Sequence, residues 1–207
     1  MRIKEIKPSQ RVKGRFLVCF DNGDILRVGE GEMISFALHG GLELSTEELE
    51  QLKEAAVAGK LKERALAMVA KKPMSRNALG DKLFELEPTG EGTVSAVLDR
   101  LEELGLLDDA SYAKAIVRHY SRKGYGAAKL RDELYRRKVP KALWEEALAE
   151  ADPAEEGVDA LIAKKLDAIE APERKDFQRV SNALARRGYG WEEIREGMER
   201  YRNQRDE

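Results

Sequence analysis

The sequence has few of the residues from which catalytic and metal-binding sites are built. It contains one cysteine, two histidines and 6% aromatic residues. Cys19 therefore has no partner for an intrachain disulfide, and no Cys/His group has the spacing of a zinc site. A Gly-rich phosphate loop, a nucleophile elbow and an HExxH motif are all absent from the sequence. We therefore expect a protein that is not an enzyme and that carries no metal or cofactor.

Long apolar segments are also missing. No run of eighteen apolar residues occurs, which argues against a membrane-spanning helix. The N-terminal segment MRIKEIKPSQ lacks the apolar stretch of a signal peptide. These two observations predict a cytoplasmic protein without a membrane partner.

The residues that could carry chemistry have simpler interpretations. His39 precedes two glycines and His119 lies between charged neighbours, so we interpret both as surface histidines. Cys19 stands beside Val18 and Phe20 in a predicted strand, where a small core residue is expected. The adjacent acids at 108–109 come at a helix start, where capping explains them.

The composition favours helix. Only six prolines occur, and 42% hydrophobic with 37% charged residues suits an extended helical protein. Residues 12–28 are the exception, because they alternate and surround Asn22-Gly23, a strong hairpin signal in which both turn residues take positive φ. We predict strands at Arg15–Phe20 and Asp24–Val28. A hairpin alone is marginal in water, so it must pack elsewhere or pair with Met1–Ile6.

Two helices are predicted after the hairpin. The segment EMISFALHGG is interpreted as a short helix that Gly40-Gly41 ends. Ser45 and Glu48 have the spacing of a capping box, which predicts a helix from there to about Ala58. Gly59 is expected to stop that helix.

A pattern of apolar pairs then repeats at about fifty residues. Leu79/Leu83, Leu130/Leu134 and Val180/Leu184 are each spaced i, i+4, which places the members of a pair on one helix face. Further anchors follow at Leu98, Leu148 and Met198 on the third helix of each unit. The pattern predicts a mainly α protein of tandem three-helix repeats with a small N-terminal β-hairpin. The predicted segments are 1–42 (hairpin and short helix), 45–58 (connecting helix), and the repeats 60–107, 108–151 and 152–205.

The boundaries of these units carry start and stop signals. Ser75 is expected to cap the second helix of the first repeat, and Asp108 or Asp109 the first helix of the second repeat. Pro140 is expected to restart a helix after Val139. The start signal at Asp152-Pro153 predicts a helix at 155–168, and Pro172 and Gly190 open the last two helices.

The main functional signal is a basic block. Residues 118–141 hold nine Lys/Arg against two acids, although the whole chain has a net charge of −2. The following residues, 142–159, hold seven acids and no base. A bipolar surface of this kind favours oriented docking on a charged partner, although acids and bases could also pair within the array.

The segments Arg122–Gly126 and Arg186–Gly190 look like one motif, RKGYG and RRGYG. Their spacing of 64 residues does not match the repeat. We interpret both as helix ends, with a C-terminal cation, a glycine after the helix, a packed tyrosine and a second glycine as N-cap. This interpretation is favoured over a shared phosphate-binding loop.

The segment Leu104–Asp109 with the residues that follow it resembles the signature of the RecX regulators of the RecA recombinase. Arg64-Ala65-Leu66 and Ser75-Arg76 resemble the first repeat of that family, and the hairpin resembles the extended N-terminal region of its Gram-positive forms. Lys138-Val139-Pro140 departs from the family's usual Lys-Gly-Ile, and Glu87–Gly90 from its Lys/Arg-Gly turn. The residues that carry the signature are Leu107, Asp108, Asp109, Tyr112, Gly126, Leu130 and Leu134, with Arg118.

The resemblance implies a curved, elongated body that docks in the groove of a RecA–DNA filament. It implies a non-enzymatic modulator, mostly an inhibitor, of strand exchange, ATPase and coprotease activity in recombination and the SOS response. We expect a monomer that contacts DNA weakly or through the filament. A direct DNA-binding helical protein and a generic helical interaction module remain as alternatives. The candidate contacts are Arg118, Arg122, Lys123, Lys129, Arg131, Arg136, Arg137, Lys138, Arg186 and Arg187.

Overall fold

The computed structural model describes residues 1–86, 91–151 and 157–206. The chain divides into two compact units. The first comprises Met1–Pro73 and Leu79–Leu107, and the second comprises Met74–Ala78 and Asp108–Glu207. The predicted turn at 87–90 and the start signal at 152–155 lie outside the described residues.

The first unit begins with a three-stranded antiparallel sheet in the order β1-β2-β3. The strands are β1 (Ile3–Pro8), β2 (Arg15–Phe20) and β3 (Ile25–Gly29). The predicted hairpin is thus confirmed, and β1 pairs with it, as one of the two sequence alternatives required. The inner face of the sheet packs on the helix that follows, because a lone hairpin would leave that apolar surface in water.

The β2–β3 turn differs from the sequence prediction. Only Gly23 has positive φ, at 93°, and Asn22 does not. The Gly23 N–H donates to Phe20 O (3.1 Å), and the Phe20 N–H donates to Asp24 O (2.9 Å). This is a three-residue loop in which a left-handed glycine follows a type I turn. The Asn22 side chain accepts from the Asp24 N–H (3.0 Å) and so stabilises the loop without a positive φ of its own.

The short helix α1 (Glu30–Ser35) is shorter than predicted and ends before Gly40-Gly41. Glu32 closes its first turn by accepting from the Gly29 N–H at 2.8 Å. Beyond Phe36, Ala37 takes a left-handed φ of 45°, which ends the helix. The chain then returns along β1, where the Ile3 N–H donates to Leu42 O at 2.8 Å.

Helix α2 (Thr46–Lys71) overturns a prediction. Its capping box is confirmed, because Ser45 Oγ accepts from the Glu48 N–H (3.1 Å) and Glu48 accepts from the Ser45 N–H (2.8 Å). The predicted stop at Gly59 is wrong, since the helix continues for 26 residues. A Cβ at Gly59 would lie 2.5 Å from Glu32 Oε1, the end of a flexible side chain that can move aside. The predicted connecting helix 45–58 and the first helix of the repeat that follows are therefore one continuous helix.

Two more helices complete the first unit, α3 (Arg76–Leu86), whose first turn belongs to the second unit, and α4 (Glu91–Glu103). The predicted pair Leu79/Leu83 is fully buried. Leu61 and Leu101 are buried with it. The i, i+4 spacing therefore marked the core face of α3, as expected.

The second unit contains α5 (Asp109–Arg122), α6 (Ala127–Arg136), a 3₁₀ turn (Lys141–Leu143) and α7 (Trp144–Ala149). It continues with α8 (Val158–Leu166), α9 (Arg174–Arg186) and α10 (Trp191–Asp206). Pro140 precedes the 3₁₀ turn, so the predicted restart occurs, although α7 itself begins at Trp144. The first helix of the last repeat begins at Val158, later than predicted, because Gly157 is its N-cap.

Aspartates order the start of α5. Asp108 is the N-cap and accepts from the Ser111 N–H at 2.8 Å. Hydrogen bonds from the Ser111 side chain and from its N–H lower the pKa of the Asp108 carboxyl. Asp109 instead accepts from the Arg76 N–H at 2.8 Å, at the start of α3. Ser75 caps the same helix as predicted, through the Ala78 N–H at 3.2 Å. The two adjacent acids thus serve two different helices.

The apolar pairs of the second unit are confirmed as core. Leu130/Leu134 lie among buried residues of α5–α7, and Val180/Leu184 among those of α8–α10. Met198 is buried with the latter pair, whereas Leu148 is only partly buried. The six-residue α7 explains the difference, because so short a third helix covers less of its core than α10 does.

Candidate functional site

Three helices of the second unit end in the same way and thereby position the basic side chains. After α5 the Tyr125 N–H donates to Tyr120 O (3.2 Å) and the Gly124 N–H to Ser121 O (2.8 Å). These bonds define a Schellman motif. Helix α9 ends identically, with Gly188 in the left-handed position. The interpretation of both Gly-Tyr-Gly segments as helix ends is therefore confirmed.

Helix α6 ends in the same motif but without glycine. The Val139 N–H donates to Leu134 O (3.1 Å) and the Lys138 N–H to Tyr135 O (2.9 Å). Lys138 has φ of 56°, in the region that disfavours a Cβ. The Lys138 carbonyl accepts from Asn77 Nδ2 at 3.2 Å. Because of its positive φ, this candidate residue lies at a strained helix end.

The two Gly-Tyr-Gly segments also meet, which the sequence reasoning missed. The Gly126 N–H donates to Arg187 O (3.0 Å), and the Ala128 N–H donates to Gly188 O (3.1 Å). A Cβ at Gly188 would lie 2.6 Å from Lys129 Cβ, and one at Gly126 would lie 2.6 Å from Tyr189 N. Both positions require glycine because two backbones touch there. The shared R-x-G-Y-G pattern was the signal that could have indicated this contact.

We call this contact the turn junction, defined by residues 122–129 and 186–190. It gathers candidate cations from sequence positions far apart. Arg187 Nη1 approaches Gly124, and Lys129 adjoins Gly188. Lys123 lies over the Tyr120 ring, with Nζ 5.4 Å from its centroid. The candidate cations in or next to the turn junction are Arg122, Lys123, Lys129, Arg186 and Arg187.

The acidic segment after the block folds back onto it. Lys114 pairs with Glu146 (2.8 Å) and Glu150 (2.7 Å), which raises the pKa of Lys114 to about 12. Arg118 pairs with Glu150, and Arg131 pairs with Glu145 at 3.3 Å. The acids and bases therefore pair within one repeat. The net positive charge of the α5–α7 surface is smaller than the sequence block suggests.

Arg137 has a different environment from the other candidates. Its guanidinium binds the buried Glu133 carboxylate, donates to Tyr120 Oη (2.9 Å) and stacks on the same ring, 5.2 Å from the centroid. Burial raises the pKa of Glu133, but the guanidinium of Arg137 outweighs it and leaves that pKa below its ordinary value. Arg136 pairs with the same carboxylate at 3.3 Å and stays exposed. The contacts of Arg137 hold α5 against the end of α6.

Two exposed aromatic residues adjoin these cations, and the sequence reasoning passed over both. Trp191 is 66% exposed directly after the second Gly-Tyr-Gly segment, and Tyr135 is 69% exposed beside Arg136. Aromatic and arginine side chains together are typical of binding surfaces. A search for large aromatic residues next to the predicted basic site would have indicated both residues.

Among the described residues, no cluster of three or more His, Cys, Asp or Glu side chains could hold a metal ion. His119 packs edge-on against Tyr120, and His39 Nδ1 lies 3.0 Å from Gly40 O. Cys19 is half-buried in β2. In the same described portion, no helix combines the length and the hydropathy needed to cross a bilayer.

The fold and surface define a class: a helical protein of three-helix units, with a cation-rich surface where two helix ends meet. Known proteins match it. Residues 108–148 match the family described as "RecX, second three-helix domain". The regulatory protein RecX of Levilactobacillus brevis is 30% identical over 187 residues, which cover 87% of this chain and 69% of that protein. The namesake of Prosthecochloris aestuarii is 32% identical over 137 residues, 66% of this chain and 89% of the relative.

Solved structures agree. A crystal structure of regulatory protein RecX superimposes with a TM-score of 0.73 at 25% identity, covering 94% of this chain and 97% of the other. RecX from Lactobacillus salivarius shares the fold, with a TM-score of 0.64 at 21% identity over 70% of this chain and 97% of that one. The chain belongs to the RecX family of regulatory proteins.

Proposed function

We propose that this chain is a non-enzymatic modulator of a RecA-type recombinase, and that it docks in the groove of the RecA–DNA filament. Docking limits strand exchange, ATPase and coprotease activity, and so restrains recombination and the SOS response. The protein acts as a cytoplasmic monomer. The proposal rests on the family resemblance and on the turn junction.

The single observation that supports the proposal best is the convergence of cations at the turn junction. Lys129 and Arg186 have no ion-pair partner within the described part of the chain. Arg118 and Arg131 are paired but exposed, and an exposed pair contributes about 0–1 kcal/mol. A charged partner can therefore replace the acids of α7 at little cost. Arg137, with its inward contacts, positions this surface rather than forming part of it.

The repeat boundaries are part of the proposal. We assign three-helix repeats to 60–107, 108–151 and 152–205, with the sheet and α1 in 1–42. In this division the turn junction joins the second and third repeats. The third repeat then acts by supplying Arg186, Arg187 and Trp191 to the same surface.

The test removes charge from the turn junction without disturbing its backbone. The variant Lys123→Gln/Lys129→Gln/Arg186→Gln keeps every glycine, and its fold is checked by circular dichroism. Three lost contacts of about 0.5–1 kcal/mol each predict a roughly 10- to 100-fold higher concentration for half-inhibition of RecA ATPase and strand exchange.

The matched control removes three charges from other exposed positions of the same unit, Lys165→Gln/Lys175→Gln/Arg179→Gln. It should inhibit like the unmodified chain. Equal inhibition by the junction variant and the control would contradict the proposal. Binding to naked DNA that is as tight as binding to filaments, with a steep salt dependence, would favour the alternative of a direct DNA-binding module.

A further inference from the structure

A second basic surface lies in the N-terminal sheet, away in sequence from the turn junction. Residues 7–15, KPSQRVKGR, contain four Lys/Arg and no acid. Residues 1–29 contain seven Lys/Arg against three acids. Two of those acids, Asp21 and Asp24, lie at the β2–β3 turn, at the opposite end of the hairpin. The positive charge is therefore concentrated at the β1–β2 loop.

The β1–β2 loop has an ordered backbone. The Ser9 N–H donates to Arg15 O at 2.7 Å and so closes the loop. Ser9 Oγ accepts from the N–H groups of Arg11 (3.4 Å) and Val12 (3.3 Å). The loop thus presents its cations from a fixed scaffold, which reduces the ordering cost of binding.

Three of the four cations of residues 7–15 line one pocket together with Arg27, and no acid lies in its wall. Its lining includes Lys7, Arg11, Arg15 and Arg27. The register pairs Lys7 with Leu17 and Leu17 with Arg27, so Lys7 and Arg27 lie on one sheet face, about 10 Å apart across two strand spacings. We call this the loop pocket, defined by residues 7–12, 15, 17 and 27.

Two of these cations are already paired and two are not. Lys7 pairs with Glu5 at 2.7 Å, and Arg15 pairs with Glu63. Arg11 and Arg27 are exposed, and no described acid pairs with either. The loop pocket therefore retains at least two charges that are available to an anionic partner.

The chemistry of the lining favours phosphate groups over a protein surface. Protein partners are usually anchored by an aromatic or large apolar side chain that fills a pocket. The apolar residues in the lining of the loop pocket are Pro8, Val12 and Leu17, and the lining contains no aromatic residue. Guanidinium and ammonium groups around a groove suit a chain of phosphates, which they bind without reading sequence.

We infer that the loop pocket is a nucleic-acid-binding site, which holds the phosphate backbone of a single strand through Arg11 and Arg27. The site shares no residue with the turn junction. It extends the proposed function by giving the chain a direct contact with DNA, but it requires no recombinase.

The experiment measures binding of a fluorescent oligo-dT to the full chain by anisotropy across a range of salt concentrations. Each phosphate contact on a single strand contributes about 0.7 to the slope of log K against log salt. Arg11→Gln/Arg27→Gln should lower that slope by about 1.4 and weaken binding about 25-fold at 0.1 M salt. Both side chains are exposed, so an unchanged thermal melt is expected.

The matched control, Lys62→Gln/Lys72→Gln, removes the same charge from exposed positions of the same unit outside the pocket. An equal loss in variant and control would show a general charge effect and overturn the inference. Unchanged DNA binding by Arg11→Gln/Arg27→Gln would also overturn the inference. This holds even if the variant binds RecA more weakly in the absence of DNA, because the pocket would then contact protein. Inhibition of RecA by the turn-junction variant is measured separately, so each proposal can fail alone.

Discussion

The replacement Gly188→Ala tests the turn junction most directly. At this position φ is 88°, and a Cβ would lie 2.6 Å from Lys129 Cβ. The left-handed conformation costs an alanine about 1–2 kcal/mol, and the overlap adds about 1–3 kcal/mol. Gly105→Ala is the control, because Gly105 ends α4 in the same motif with φ of 67° and nothing within 4 Å of a Cβ. It should show the conformational cost alone.

The assay is urea unfolding at pH 7. Both tryptophans, Trp144 and Trp191, lie in the second unit, so their fluorescence follows the unit that contains Gly188. Circular dichroism follows the helices of both units and reports Gly105→Ala. We expect the free energy of unfolding to fall by about 2–5 kcal/mol for Gly188→Ala and about 1–2 kcal/mol for Gly105→Ala. Equal losses in the two variants would refute a close backbone contact at the turn junction.

Three further outcomes are expected. Lys138→Gly should raise the free energy of unfolding of the second unit by about 1 kcal/mol in urea titrations, because φ of 56° disfavours a Cβ. Lys138→Ala keeps a Cβ and should not raise it. Glu133→Gln should cost about 2 kcal/mol at pH 7. The pKa of Glu133 is lowered in the folded protein. The stabilisation that its charge provides is therefore fully present above the ordinary carboxyl pKa near 4.3, and it is lost as the pH falls through the folded pKa. Acid unfolding curves of the variant should not show this loss of stability. Gly59→Ala should be nearly neutral alone but stabilise by about 1 kcal/mol in a Glu32→Ala background, as a double-mutant cycle in thermal melts would show.

Local signals predicted most elements of the fold. The i, i+4 apolar pairs identified the buried faces of α3, α6 and α9 because helical geometry alone determines which residues share a face. Capping residues gave the starts of α2 and α5 for the same reason, since a cap bonds within its own first turn. The predicted helix end at Gly59 is wrong, because α2 continues through this residue, which lies beside the Glu32 carboxylate, 27 positions earlier in the sequence. A glycine inside a helix beside a neighbouring side chain and a glycine that ends a helix look alike in sequence.

The basic residues of the candidate site could be predicted from the sequence, but the net charge of the folded surface could not. The sequence showed a basic block followed by an acidic one, yet spacing could not indicate that α7 folds its acids back onto Lys114, Arg118 and Arg131. The basic residues of the β1–β2 loop were also overlooked. They are spread along a strand and a turn, and only the sheet register brings Arg27 to the same face as Lys7.

The sequence by itself determined the helical class, the positions of the apolar faces and the family, because these depend on periodicity and on short motifs. Tertiary structure alone decided which cations lie close together. The two Gly-Tyr-Gly segments look alike in sequence, but their spacing of 64 residues does not match the repeat and gave no sign of a contact. They meet because their glycines let two backbones bond directly. Arg137 was one cation among many in the sequence, and its contacts with Glu133 and Tyr120 make it a support for the surface. Charge in a sequence is only a sum, whereas the electrostatic field of a folded surface depends on where each partner lies.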